Sequence, residues 1–261
     1  MKEYFEKRLN EALSYYNTQD NLYKAIEYSI NSGGKRIRPL LVLYFSEVLN
    51  IKKDEIVDIA IAIEFIHNYS LVHDDLPGMD NDKYRRGKLT THAKFGEYIG
   101  ILVGDALLTE AFSIIARSEK LKNKDKLIEC LSKNAGLRGM VQGQYLDMKN
   151  LNKKLDEKTI NTIHEYKTGA LIKACFEMVM IHKGLENEKY LKIATLLGLI
   201  YQLQDDIFDS KNETDNSNYV NILGEMKAKE KLEKYIKELK ELLPTNTNLT
   251  QFIMKIIERQ K

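Results

Sequence analysis

DEIVDIAIAIEFIHNYSLVHDD, residues Asp54–Asp75, is the stretch that decides the fold. A stripe runs along it through Ile56, Ala60, Ile63, His67, Ser70 and Asp74, at steps of four and three. That period is helical, because positions three and four apart share one face of an α-helix. The helix runs directly into an acidic cluster, HDDLPGMDNDKYRRGK, in which Asp74, Asp75, Asp80 and Asp82 fall within nine residues. Adjacent carboxylates repel unless a cation neutralises them. In one unbroken helix Asp74 and Asp80 would be about 600° apart and point to different faces. Pro77-Gly78 removes that objection: it ends the helix near Leu76 and lets a loop carry Asp80 back toward Asp74.

The helical period extends outward over most of the 261 residues. Residues 96–117 are apolar and helix-like, punctuated by Gly100, Gly104 and Asp105. Further helices are expected over about 157–182 and 188–209. The lysine- and glutamate-rich tail from Ala228 to Leu243 carries Leu232, Ile236, Leu239 and Leu243 on one face, which packs on the bundle or binds a partner. Loops are expected at Lys120–Lys126, Ser210–Asn218 and Pro244–Thr250. With 3 prolines and 14 glycines, turns are too few for a β-sandwich or barrel, so an all-α single domain over residues 1–261 is expected.

Composition excludes several classes of function. Lys and Arg number 40 against 38 Asp and Glu, a net +2 that gives no argument for nucleic acid. The longest apolar runs, such as Ile193–Tyr201, are shorter than the roughly 18 residues that cross a bilayer. The start, MKEYFEKRLNEAL, alternates charged and apolar residues and has no signal-like apolar region, so the expectation is a cytoplasmic protein with no membrane span. Cys130 and Cys175 define neither a disulfide framework nor a thiolate metal site.

A second acidic cluster, YQLQDDIFD (Tyr201–Asp209), ends another apolar helix. Asp205 and Asp209 are i and i+4 on one face, and Gln202 is i−3 on the same face. A solvated acidic helix end would account for one such cluster. Two of them, both closing apolar helices, point instead to carboxylates that need a cation. All-oxygen ligands suit a hard ion, and Mg²⁺ is usual where phosphates share it. The spacing of His and Cys gives no zinc set.

Opposite charge recurs at GGKRIRP (Gly33–Pro39), with Lys35, Arg36 and Arg38; at Arg85-Arg86; and at Tyr166-Lys167-Thr168-Gly169. Glycines let a backbone approach an anion, and guanidinium forks match phosphate oxygens. The P-loop spacing is absent. Basic groups beside aspartates suggest a polyanion bridged by metal, and a diphosphate fits. His67, seven residues before Asp74, is either a satisfied core histidine or a ligand contact. His73 reads as structural.

Taken together, GGKRIRP, EFIHNYSLVHDDLPGMDNDKYRRGKLTTH, YKTGAL and YQLQDDIFD resemble the trans-prenyltransferase family of short-chain polyprenyl diphosphate synthases, the bacterial farnesyl diphosphate synthases among them. GDALLTEAF (Gly104–Phe112) and GMVQGQYLDM (Gly139–Met148) are similar to family segments as well. The resemblance implies an isoprenoid-synthase-type helical bundle around a deep central cavity, in a homodimer. It implies condensation of isopentenyl diphosphate with dimethylallyl or geranyl diphosphate, head-to-tail, to farnesyl diphosphate, aided by three Mg²⁺. It implies Asp74, Asp75, Asp80, Asp205, Asp206 and Asp209 at the metal, with Asp74, Asp80, Asp205 and Lys167 catalytic. Gly34, Lys35, Arg38, His67 and Arg86 correspond to isopentenyl diphosphate contacts. Arg85, Lys167, Thr168 and Gln202 correspond to allylic diphosphate contacts, and Gln144 to a cavity residue. Tyr69 lies about 140° around the helix from Asp74, so geometry alone leaves it a core residue; the resemblance makes it the residue that limits chain length. Two departures stand out. The stretch before GGKRIRP is short, and Ser210–Gly224 has Asn216 where a lysine is expected, leaving Lys211 as the local substitute. A geranylgeranyl or geranyl diphosphate synthase is the alternative product class. A non-catalytic subunit of a heteromeric enzyme is the alternative without chemistry, and it fits poorly with two intact clusters. A class I terpene cyclase would not need the second basic site.

Overall fold

A computed structural model describes residues 1–151, 153, 155–209 and 218–258. It divides into two compact units.

The first unit comprises Met1–Leu43 and Lys52–Ile128. Its helices are α1 (Lys2–Ser14), α2 (Asn21–Ile30), the start of α3 (Ile37–Val48), α4 (Lys53–Asp74), α5 (Thr91–Phe95), α6 (Glu97–Arg117) and the start of α7 (Lys124–Ala135). The α4 helix packs along α6, with α1 and α2 also against it. The sequence stripe Ile56, Ala60, Ile63 is buried, but so are Ile59, Ile61 and Ala62 between its members. A helix apolar all round belongs inside a fold, so α4 is the core of this unit. Both α4 and α6 are long and apolar enough to cross a membrane by length and hydropathy; α4 is mostly buried in the protein and α6 less than half.

Glycine sets the α4–α6 distance. A Cβ on Gly104 would lie 1.9 Å from His73 Nε2, so only glycine admits the His73 ring, which meets the Ile101 carbonyl at 3.0 Å. Sequence reading missed one feature, a small antiparallel pair, β1 (Tyr84–Arg85) with β2 (Lys88–Leu89), in register Tyr84↔Leu89 and Arg85↔Lys88. Arg86 and Gly87 turn it with φ of 54° and 77°, both left-handed as a two-residue hairpin of this hand requires.

The second unit comprises Tyr44–Ile51 and residues from Glu129 onward. It holds α8 (Met140–Lys149), α9 (Glu157–His164), a π-helical turn (Glu165–Gly169), α10 (Ala170–Lys183), α11 (Glu188–Asp209), α12 (Tyr219–Leu223), α13 (Glu225–Leu242) and α14 (Asn248–Ile257). Side-chain caps start four of these, Asn187 accepting from Lys189 N at 3.0 Å ahead of α11. Asp156 accepts from Thr159 N at 2.7 Å, Asn218 from Val220 N and Thr247 from Thr250 N. Gly184 closes α10 in the left-handed conformation at φ 72°. α11 runs through the unit's interior, packed by α10, α13, α14 and the π-turn. Phe45 stacks on Phe176 and Tyr190 in the core, each at 4.7 Å.

The helix expected over about 157–182 is therefore two helices with a π-turn between them, while that over 188–209 is α11 as expected. The expected loops at 120–126 and 244–250 are shorter than that, since α7 begins at Lys124 and α14 at Asn248. Cys130 and Cys175 are free and buried. Burial and the neighbouring Glu177 carboxylate push the Cys130 thiol up, which leaves it inert.

Candidate active site

The first acidic cluster closes as the Pro77-Gly78 break requires. α4 stops at Asp74, and the loop turns back until Asp80 N donates to the Asp74 carbonyl at 2.9 Å. Asn81 N reaches Leu76 O in the same turn, with φ of 55° at Asn81. Asp74 is half-buried and Asp80 exposed.

Asp75 faces elsewhere. It is 4% exposed, and Arg85 grips its Oδ1 through Nε and Nη2, both at 2.7 Å. Burial raises its pKa more than Arg85 lowers it. Arg85 also reaches Asp82 at 3.7 Å. The hairpin thus aims two neighbouring arginines apart, Arg85 into Asp75 and Arg86 onto the Gly33 carbonyl.

Around His67 the positive charge collects. Arg38 Nη1 lies 3.4 Å from His67 Nε2. Burial depresses the imidazole pKa well below its usual value, and Arg38, Arg86, Arg36 and Arg85 depress it further. His67 is therefore neutral, among four guanidinium groups. Arg38 Nε is buried with no hydrogen-bond partner in the protein. A buried orphan donor beside concentrated positive charge is a site prepared for an anion. Gly33 and Gly34 lie at φ of 100° and 144°, and a Cβ on Gly34 would come within 2.8 Å of Arg86 Nη1. Glycine at 34 is what lets Arg86 close on the loop. Lys35 is exposed at its tip. Tyr69 is buried, 6% exposed, with its ring on His73 at 5.8 Å. Burial first, and then the Asp74 carboxylate, push its phenol up to about 12.

The second unit gathers the remaining groups. Lys167 and Thr168 sit on the π-turn, a local widening of the helix often found at functional sites. Lys167 Nζ pairs with Asp147 Oδ2 at 2.6 Å. Asp147 was not singled out from sequence, although it stands three residues after Gln144 on one face of α8. Gln144 Nε2 is buried with no partner in the protein. The turn is held by close glycine contacts: a Cβ on Gly143 would lie 2.1 Å from Lys167 N, and one on Gly198 3.0 Å from Gly169 Cα.

On α11, Gln202 and Asp205 are half-buried. Asp206 is committed to the chain: its Oδ2 accepts from Tyr219 N at 2.8 Å and faces His164 Nε2 at 3.6 Å. Its carbonyl accepts from Asn218 Nδ2. The side chain of Asp209, with Lys211 and Asn216, lies outside the described residues.

Among the described residues, no three His, Cys, Asp or Glu side chains are gathered closely enough to hold an ion by themselves. Mg²⁺ is commonly held by one or two carboxylates while substrate phosphates and water complete its shell. The carboxylates of Asp74 and Asp80 in the first unit, and of Asp205 in the second, are hard oxygen groups of the kind that ion prefers.

Three comparisons bear on this chemistry. A family model described as polyprenyl synthetase matches residues 19–220. A farnesyl diphosphate synthase of Micrococcus luteus is 42% identical over all of this chain and 98% of its own length. The crystal structure of a geranyltranstransferase from Thermotoga maritima superposes with a TM-score of 0.86 at 32% identity, covering 98% of this chain and 95% of that one. A geranyltransferase from Helicobacter pylori, complexed with magnesium and isoprenyl diphosphate, gives a TM-score of 0.80 at 31% identity, with 98% and 95% covered.

Proposed function

The chain belongs to the polyprenyl synthetase family, and from that premise we propose that it joins isopentenyl diphosphate head-to-tail to dimethylallyl or geranyl diphosphate, giving farnesyl diphosphate and free diphosphate. The observation that carries the reading is that one unit holds both the folded-back Asp74–Asp80 turn and the arginine-rich surroundings of neutral His67, in which Arg38 Nη1 lies 3.4 Å from His67 Nε2. Carboxylates that need a cation and guanidinium groups that need an anion are what two diphosphates and Mg²⁺ supply.

The residues divide the work as follows. Asp74 and Asp80 from the first cluster and Asp205 from the second would hold the metal, three Mg²⁺ per site, which would neutralise the diphosphate. Asp75 holds Arg85 in place, while Asp206 and Asp209 complete the second cluster. Arg85, Lys167, Thr168 and Gln202 bind the allylic diphosphate, and Lys167 meets the charge that grows as it leaves. Gly34, Lys35, Arg38, His67 and Arg86 bind the isopentenyl diphosphate. When bound, Mg²⁺ neutralises the leaving group. The allylic C–O bond breaks and its electron pair leaves with diphosphate. The isopentenyl double bond then attacks the allylic cation, forming the new C–C bond, and a proton passes from the product cation to the released diphosphate. Fixed positive charge favours the transition state over the substrate, because the leaving-group charge is larger there than in the substrate. An apolar, water-poor cavity protects the cation. Tyr69 blocks extension beyond fifteen carbons.

The reading treats residues 1–261 as one working domain and places it in the cytoplasm. It also carries a homodimer: α6 leaves Tyr98, Ile101 and Leu102 exposed at 68%, 42% and 45%, and a second copy would cover them. The test is incorporation of labelled isopentenyl diphosphate with geranyl diphosphate, with Mg²⁺ and with excess EDTA. Incorporation should vanish in EDTA and fall by orders of magnitude in Asp74→Asn and Asp205→Asn. Undiminished activity in EDTA would refute the metal role.

A further inference from the structure

Arg36 lies inside the basic motif but faces away from its neighbours. It is 4% exposed, in a chain segment whose exposed Lys35 and half-buried Arg38 flank it. All three nitrogens of its guanidinium are hydrogen-bonded. Nη1 meets Glu64 Oε1 at 2.7 Å, Nε meets Glu6 Oε1 at 2.9 Å, and Nη2 reaches Glu6 Oε2 at 3.3 Å and the Ile30 carbonyl at 2.8 Å. Glu64 is 3% exposed on α4, one turn before His67, and Asn68 Nδ2 gives the same Oε1 a second donor at 3.2 Å. Burial raises the Glu64 pKa, and Arg36 opposes that. A carboxylate this buried demands its partner, so the pair fixes where Arg36 can be.

Arg36 also has a φ of 52°, a left-handed backbone that a long side chain seldom adopts. The segment Gly33–Arg36 therefore turns sharply. Arg86 grips its glycine end at the Gly33 carbonyl, with Lys2 Nζ on Gly34 O at 3.2 Å. Arg36 grips the other end from α1, α2 and α4 together.

We propose that Arg36, clamped by Glu6 and Glu64, is a positioning residue for the isopentenyl diphosphate site: it holds the loop in the one shape that presents Lys35 and Arg38 to the same diphosphate. This rests on the site assignment made above. The Glu64 carboxylate and His67, one helical turn apart on α4, tie the loop to the helix that ends in Asp74. Loosening the clamp lets Lys35 and Arg38 drift without removing either charge, so the homoallylic substrate should suffer and the allylic one should not.

Steady-state kinetics of both substrates on Arg36→Lys and Glu6→Gln test this, with circular dichroism and thermal unfolding to establish folding. Lysine keeps the charge and loses the fork that spans two carboxylates. Glu6 is partly exposed, so its variant tolerates the change even where a Glu64 variant would not fold. Arg36→Lys should raise KM for isopentenyl diphosphate about tenfold, the loss of one charge-assisted hydrogen bond, with KM for the allylic substrate and kcat within about twofold. Glu6→Gln should shift the same constant in the same direction by less. If a folded Arg36→Lys raised both constants equally, or neither, Arg36 would be structural only and the proposal would fall. Arg38→Ala separates the two levels. Should it too leave KM for isopentenyl diphosphate unmoved, the site assignment itself is overturned, and the clamp with it.

Discussion

Among the aspartates, neighbours in sequence have opposite surroundings. Asp74 ends a helix with its carbonyl taken by Asp80 N, while Asp75 is buried against Arg85. The sequence shows four carboxylates in nine residues, but not which of them face the ligand, because that depends on where the hairpin returns. The spacing of Arg85 and Arg86 gives no sign that they part. A turn at Arg86-Gly87 was there to be read from the glycine alone. Glu64 was legible in principle as well: a lone acid among Ile63, Phe65 and Ile66 must be paired. Tyr69 belongs to the same scale. It lies five residues, about 7.5 Å, before Asp74 along α4, and its ring is buried on His73. Replacing it with Ala removes a buried ring below the Asp74 end of α4. Product chromatography of Tyr69→Ala should show twenty-carbon or longer diphosphates. Farnesyl diphosphate as its sole product would take Tyr69 out of the chain-length role.

The elements were the most legible level. α4, α6 and α11 were all foreseen to within a residue or two, because an apolar period sustained over some twenty residues leaves little ambiguity. What periodicity cannot show is how closely two helices approach, or where a helix widens. Gly104 looked like an interruption, yet it and Gly143 each lie within an unbroken helix where a neighbour leaves no room for a side chain. The π-turn at Glu165–Gly169 keeps the helical character of its sequence while adding a residue to one turn, so it has no signature of its own. Gly143→Ala probes it. A Cβ there would meet backbone atoms of Lys167 and Tyr166, from 2.1 to 2.7 Å away, which cannot rotate aside. Overpacking of this kind costs about 1–3 kcal/mol, a fall of several degrees in Tm. Because the strain falls on Lys167, KM for the allylic diphosphate should rise more than KM for isopentenyl diphosphate. A Tm and kinetics equal to those of the unmodified protein would contradict the packing argument.

Over the whole molecule, the fold class followed from sequence because few prolines and long apolar periods leave only helices, apart from one two-residue hairpin among the described residues. The reaction class followed because the acidic and basic motifs come in the family's order, and the match to polyprenyl synthetase over residues 19–220 agrees. Product length is the least legible property, since it depends on the depth of a cavity rather than on any charged motif. The most direct test is to incubate the purified protein with Mg²⁺, geranyl diphosphate and labelled isopentenyl diphosphate, and to size the dephosphorylated products by chromatography. Label should appear in a fifteen-carbon prenyl alcohol, with one diphosphate released for each isopentenyl unit consumed. Label left entirely in the five-carbon substrate would rule out prenyl transfer by this protein, and label mainly in a twenty-carbon product would rule out its fifteen-carbon specificity.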